Sequence, residues 1–151
     1  SIIVPFCLES YLSGVNKQIG KESKLWYKKR FQIPGAWKKL ENSRYILHFG
    51  AVDWSTEVYL NGKKLGEHIG GYTPFWFDIT EALLLDKENL LYVIVWDPTN
   101  AGMQEKGKQT NNPGGIFYTP TTGIWQTVWF EPVTQSYIES WKYSCSLATV
   151  N

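Results

Sequence analysis

Apolar and aromatic residues fall in short runs, each closed by a turn signal, and the runs alternate with period two more often than with the helical period. Residues 25–33 (LWYKKRFQI) form one such run and stop at Pro34-Gly35. Residues 44–50 (RYILHFG) place Tyr45, Leu47 and Phe49 on one face by strict alternation. Glu57-Val58-Tyr59-Leu60 leads into Asn61-Gly62 and then Lys63-Lys64-Leu65-Gly66. Asn-Gly between two strand-like runs predicts a hairpin with a type I′ turn, because both residues tolerate positive φ. A loop at residues 70–74 precedes a short strand at 75–79, and Thr80 to Leu84 suit one helical turn capped by Thr80. Residues 89–96 (NLLYVIVW) are almost wholly apolar, as in a strand covered on both faces, with Trp96 in the core. Residues 97–122 are long, rich in Gly, Pro, Asn and Gln, and aperiodic. A loop of that length in a compact domain is usually functional or disordered. Residues 124–133 (IWQTVWFEPV) read as one strand with Trp125 and Trp129 on one side and Ile124, Val128 and Phe130 on the other. That strand's two apolar sides suit packing against a further domain as well as core burial. Seven or more such strands predict an all-β sandwich or barrel.

Length and composition narrow this. The chain has 151 residues, enough for one domain with a real core. Its 15 basic and 14 acidic residues give a net charge of +1, so no general pull toward nucleic acid or an anionic membrane exists. No apolar run reaches the roughly 20 residues of a membrane helix. The start, Ser1-Ile2-Ile3-Val4-Pro5-Phe6, carries no signal-peptide pattern. Cys7 and Cys145 lie near opposite ends and pair only if the fold joins the termini; the alternative is a free, buried Cys7. No CxxC, clustered His or Asp-rich loop supports a metal site, and no cofactor is expected. Gly70-Gly71 and Gly114-Gly115 are followed by no Lys-Ser/Thr and open no helix, which excludes a phosphate loop. Aromatic residues make up 16%, with 8 Trp and 9 Tyr, an excess that fits strands, interfaces and stacking surfaces.

Particular words along the chain add a resemblance. Phe49-Gly50-Ala51-Val52-Asp53-Trp54, Val58-Tyr59-Leu60-Asn61-Gly62, Gly70-Gly71-Tyr72-Thr73-Pro74-Phe75, Phe77-Asp78-Ile79-Thr80 and the stretch from Thr122 to Glu131 (TGIWQTVWFE) occur in that order. Together with Val4-Pro5-Phe6-Cys7-Leu8-Glu9-Ser10 and Leu25-Trp26-Tyr27, the series resembles the N-terminal sugar-binding domain of family 2 glycoside hydrolases, the family of β-galactosidases and β-glucuronidases. The likeness covers roughly residues 2–133. It implies a galactose-binding-like jelly roll: a β-sandwich of two antiparallel sheets over residues 1–133. It also implies a linker and the stub of a following immunoglobulin-like domain over 134–151, where Tyr137 to Tyr143 (YIESWKY) starts a strand-like pattern. Beyond these the family carries a (β/α)8 barrel with two catalytic glutamates for retaining hydrolysis. The chain itself is therefore expected to be inactive and its parent a retaining glycosidase, for which a periplasmic or secreted location is plausible.

In that family, loops of the jelly roll reach the barrel's sugar. One contact is an acid shortly before the glycine matching Gly123, and here that stretch (FYTPTT, residues 117–122) has none. Glu9 falls near a second contact region, and Asp97, Asn100, Lys108, Gln109 and Tyr118 occupy the reaching loop. With Trp54 beside them, these are the carbohydrate-proximal candidates; no residue is expected to be catalytic. Asp53 and Asp78 sit at strand ends, where turn and capping hydrogen bonds account for them. His48 and His68 have no neighbouring Ser or Cys in a nucleophile setting. Two functional classes stay open. One is a scaffold that supports a barrel and lends it loops. The other is an independent carbohydrate-binding module that stacks sugars on Trp37, Trp54, Tyr72, Trp76 or Tyr118.

Overall fold

The computed structural model describes residues 1–145. Nine strands follow in order: β1 (Leu25–Phe31), β2 (Arg44–Phe49), β3 (Val52–Asp53), β4 (Ser55–Leu60), β5 (Lys63–Ile69), β6 (Phe75–Asp78), β7 (Asn89–Trp96), β8 (Gly123–Ile124) and β9 (Val128–Val133). They form an all-β sandwich. A four-stranded sheet runs β1-β7-β4-β5, a three-stranded sheet β6-β2-β9, and β3 pairs with β8 in a small third ribbon. Every pairing is antiparallel.

Alternation explains the layers. Tyr27, Val58, Leu60, Leu91, Val93 and Val95 point inward from the larger sheet, Tyr45, Leu47 and Phe49 from the smaller, and all belong to one buried cluster. β7 lies between β1 and β4, which accounts for its continuous apolar run. The hairpin forms at Asn61 and Gly62, with φ of 52° and 84° as a type I′ turn requires. Asn61 does more than turn the chain. Its Nδ2 donates to Ala82 O and to Asn89 Oδ1, both at 2.8 Å, and its Oδ1 accepts from Leu90 N. Asn89 is fully buried and also binds Leu84 N and Leu84 O, so the hairpin tip is tied to the start of β7.

Several expectations differ from the fold. Residues 80–84 make a turn closed by Ala82 N to Ile79 O rather than a helical turn capped by Thr80. The Thr80 hydroxyl is taken up by Tyr45 N, and Asp78 Oδ1 accepts from Thr80 N. The run 124–133 breaks at residues 125–127, where Trp125 N and Gln126 N both turn to Ala51 O. Trp125 and Trp129 therefore share no strand face: Trp125 belongs to the break, while Trp129 stacks on His48 outside the smaller sheet. Trp96 lies outside the buried core, at the rim, edge-on to Trp54 and donating its indole N–H to Lys21 O. Cys7 and Cys145 are both free, Cys7 half-buried rather than fully so. Residues 137–145 of the expected stub hold no strand, and residues 146–151 lie outside the described residues.

Candidate functional site

The long loop leaves β7 at Trp96 and returns at β8, and buried carboxylates hold it at both ends. Asp97 Oδ1 accepts from Thr99 N at 2.6 Å, and its Oδ2 accepts from the Thr122 hydroxyl at 2.9 Å. Thr122 N donates to Glu9 Oε2 at 2.9 Å, so one threonine joins the N-terminal segment to both ends of the loop. In mid-loop, Gln109 Nε2 donates to Asp53 Oδ2 at 3.0 Å, and Gln109 Oε1 accepts from Thr121 N. Parallel pairing of Gln109 with Tyr118, through Tyr118 N to Lys108 O and Thr110 N to Tyr118 O, folds the loop back on itself. A loop of this length is thus ordered by polar side chains, its own together with those of Glu9 and Asp53.

Asp53 is the central group. It ends β3, paired with Gly123 of β8, and is only 3% exposed. Burial pushes its carboxyl up to about 7; the charges of Asp97 and Glu9 act the same way, while the Gln109 bond opposes them. Glu9 is raised chiefly by burial, with bonds from Thr122 opposing and Asp97 adding to the rise. Burial likewise raises Asp97 against its bonds from Thr99 and Thr122. Burial is thus the first cause of the rise in all three carboxyls, and the charges of Asp97 and Glu9 add to it at Asp53. Glycine is required at position 71 by a close approach: a Cβ there would lie 2.5 Å from Asp53 Oδ1.

Above Asp53 opens a cleft of about 260 Å³. Asp53 and Gln109 form its polar floor; Tyr72, Tyr118 and Trp125 bring ring surface, and Lys106 and Lys108 stand at its rim. Trp125 is fixed by donation from Nε1 to Gly71 O at 2.7 Å and meets Tyr72 edge-on at 6.2 Å. Tyr118 is 64% exposed. Ring surface beside a few convergent donors and acceptors is the chemistry that holds a pyranose, with its C–H face on the ring and its hydroxyls on polar groups. A larger hollow of about 480 Å³ lies between Arg44 and Glu81, but its charges are already paired as Arg44–Asp78 and Lys63–Glu81. Among the described residues, no three His, Cys, Asp or Glu side chains are grouped so as to hold a metal ion.

Of the residues singled out from the sequence, Lys108, Gln109 and Tyr118 line this cleft. Glu9 and Asp97 lie at the ends of the loop on Thr122 and do not line it. Asn100 is exposed and serves the loop, donating to Thr110 Oγ1 and accepting from Asn111 Nδ2. Trp54 packs against Trp96 and is absent from the lining. Sequence reasoning passed over Asp53 as a strand-end residue, and Lys106 and Trp125 as well. Glycines at 70 and 71 beside an aromatic were the available signal for close packing at this point.

Comparison with known proteins agrees with this architecture. Residues 15–120 match the family described as "Glycosyl hydrolases family 2, sugar binding domain". A β-galactosidase of Thermoanaerobacter pseudethanolicus is 33% identical over 115 residues, which are 76% of this chain and 14% of that protein. A solved β-glucuronidase of Bacteroides uniformis superposes with a TM-score of 0.59 at 32% identity, over 74% of this chain and 12% of that one. A Bifidobacterium dentium β-glucuronidase, solved with coumarin-3-O-glucuronide, gives 0.52 at 36% identity, over 64% of this chain and 15% of that one. The chain thus spans about one-seventh of the length of the curated relative and less of the first solved one. With the family matched over most of its length and the sandwich superposing on solved members, the chain belongs to the sugar-binding domain family of family 2 glycosyl hydrolases.

Proposed function

We propose that this sandwich is a non-catalytic domain of a larger retaining glycosidase, supporting its catalytic barrel and presenting the 97–122 loop to the carbohydrate. In this reading residues 1–133 are the sandwich, and 134–151 lead toward an immunoglobulin-like domain and then the (β/α)8 barrel. The much greater length of the matched relatives supports that arrangement. The observation that carries the sugar-facing role is the Gln109 bridge between Asp53 and Thr121. It holds the loop so that Tyr72, Tyr118 and Trp125 share one cleft. Glu9, Asp97 and Asn100 act as positioning residues for that loop rather than as sugar contacts.

The observation that favours the second reading, an independent binding module, is the ring surface that Tyr72, Tyr118 and Trp125 bring to one cleft. Titration of the 15N-labelled protein with methyl glycosides followed by amide shifts tests both. The first reading expects shifts confined to residues 71–72, 106–109 and 118–125, with dissociation constants in the millimolar range, about −4 kcal/mol or weaker. Saturation at micromolar sugar would favour the independent module. Shifts confined to the opposite side of the sandwich, or none at all, would overturn the sugar-facing role.

A further inference from the structure

We infer that the Lys106-Gly107-Lys108 turn makes the cleft selective for an anionic sugar unit, one bearing a carboxylate or a sulfate group. The inference rests on the sugar-facing reading above and names the class of sugar. Gln109 N closes the turn on Lys106 O at 3.1 Å, and Gly107 sits at φ +57° in its bend. A Cβ at Gly107 would lie 3.4 Å from the Tyr72 hydroxyl, so glycine lets the turn settle close to the tyrosine with a lysine on either side. Both lysines line the cleft, and neither has a carboxylate within 4.0 Å among the described residues. In the larger hollow, by contrast, Lys63 and Lys64 are both spent on glutamates.

Lysine only donates, and as a compact point charge it favours an anion over a neutral hydroxyl. The one carboxyl in the lining is Asp53. Its Oδ2 is taken by Gln109, and burial, with the charges of Asp97 and Glu9 adding, favours its protonated form toward neutral pH. The remaining titratable groups in the lining are the hydroxyls of Tyr72 and Tyr118. The cleft therefore carries an excess of positive charge. The space of about 260 Å³ falls just below the ~300–1,000 Å³ of pockets for drug-sized ligands and suits a single ring with one charged substituent.

The test compares methyl β-D-glucuronide, a 6-sulfated methyl β-D-galactoside, and the uncharged methyl glucoside and galactoside. Each is titrated into the 15N-labelled 151-residue chain at pH 6.5. An anionic sugar is expected to bind at least about fivefold more tightly than its uncharged counterpart. Raising NaCl from 50 to 500 mM is expected to remove most of that preference. In Lys106→Gln/Lys108→Gln the anionic and uncharged sugars should bind within twofold of one another; Lys108→Gln alone serves if the double variant loses its dispersed spectrum. Preference for the glucuronide or for the sulfate decides which anion is read. Equal binding of charged and uncharged sugars in the cleft would overturn the selectivity and leave the cleft standing. A preference that survives in the lysine variants would likewise overturn it. Shifts from no sugar would overturn both readings.

Discussion

At the scale of single residues, Asp53 shows how far local sequence carries a reading. Its position at a strand end suggests a turn or capping role, and Asp78, in a comparable position, has that role: it accepts from Thr80 N and pairs with Arg44 at 2.8 Å. What separates Asp53 is a partner 56 residues away, Gln109, and burial beside two other acids. Neither is visible in a local window. Titration exposes the difference. A carboxyl whose folded pKa stands above its unfolded value stabilises the fold fully below the unfolded pKa and loses that contribution as pH rises through the folded one. For Asp53 the window runs from about 4 to about 7, and its upper bound is about 4 kcal/mol. Asp53→Asn keeps an oxygen for Gln109 and removes the titration. Its melting temperature relative to the native chain should climb as pH is raised from 5 to 8, with little difference at pH 4. A difference that stays flat over that range, or that falls, would show the carboxyl to be unstrained as an anion.

Elements were more legible than residues where a turn residue marks their end. The β4–β5 hairpin lies where Asn61-Gly62 predicts it, because positive φ at two successive positions is a local requirement. The break at residues 125–127 was not legible, since both halves are apolar and nothing local interrupts the alternation. It is set from outside, by Ala51 O drawing Trp125 N and Gln126 N and by Gly71 O holding the indole. The hairpin also makes separable predictions. Asn61→Gly keeps the left-handed backbone but deletes three hydrogen bonds to Ala82, Asn89 and Leu90, and should cost about 2–3 kcal/mol by urea denaturation. Asn61→Ala loses the same bonds and adds left-handed strain, so it should cost about 1 kcal/mol more. Equal losses in the two variants would mean that the side-chain network, not backbone conformation, is what position 61 contributes.

For the whole molecule, the question is whether a sandwich with three buried carboxyls can do chemistry alone. Glycoside hydrolysis needs two carboxyls facing one sugar, about 5–5.5 Å apart for retention and about 6.5–9.5 Å for inversion. The cleft offers one. Asp53 lines it, whereas Glu9 and Asp97 are bound to Thr122 at the ends of the loop and do not. Their raised pKa values resemble those of catalytic acids, but the cause is burial in a loop anchor, to which the charge of Asp97 adds for Glu9 alone, with no second group placed across a sugar. The same acids that would suggest an active site in a list of perturbed groups are what order the loop. The purified chain should therefore release no aryl aglycone from nitrophenyl β-galactoside or β-glucuronide above the buffer rate between pH 4 and 8, and Asp53→Asn should leave that result unchanged. A pH-dependent release that Asp53→Asn abolishes would make Asp53 catalytic and overturn the non-catalytic role. Background rates in both proteins, together with sugar-induced shifts confined to the cleft, would leave the sandwich a sugar-facing domain without glycosidase chemistry of its own.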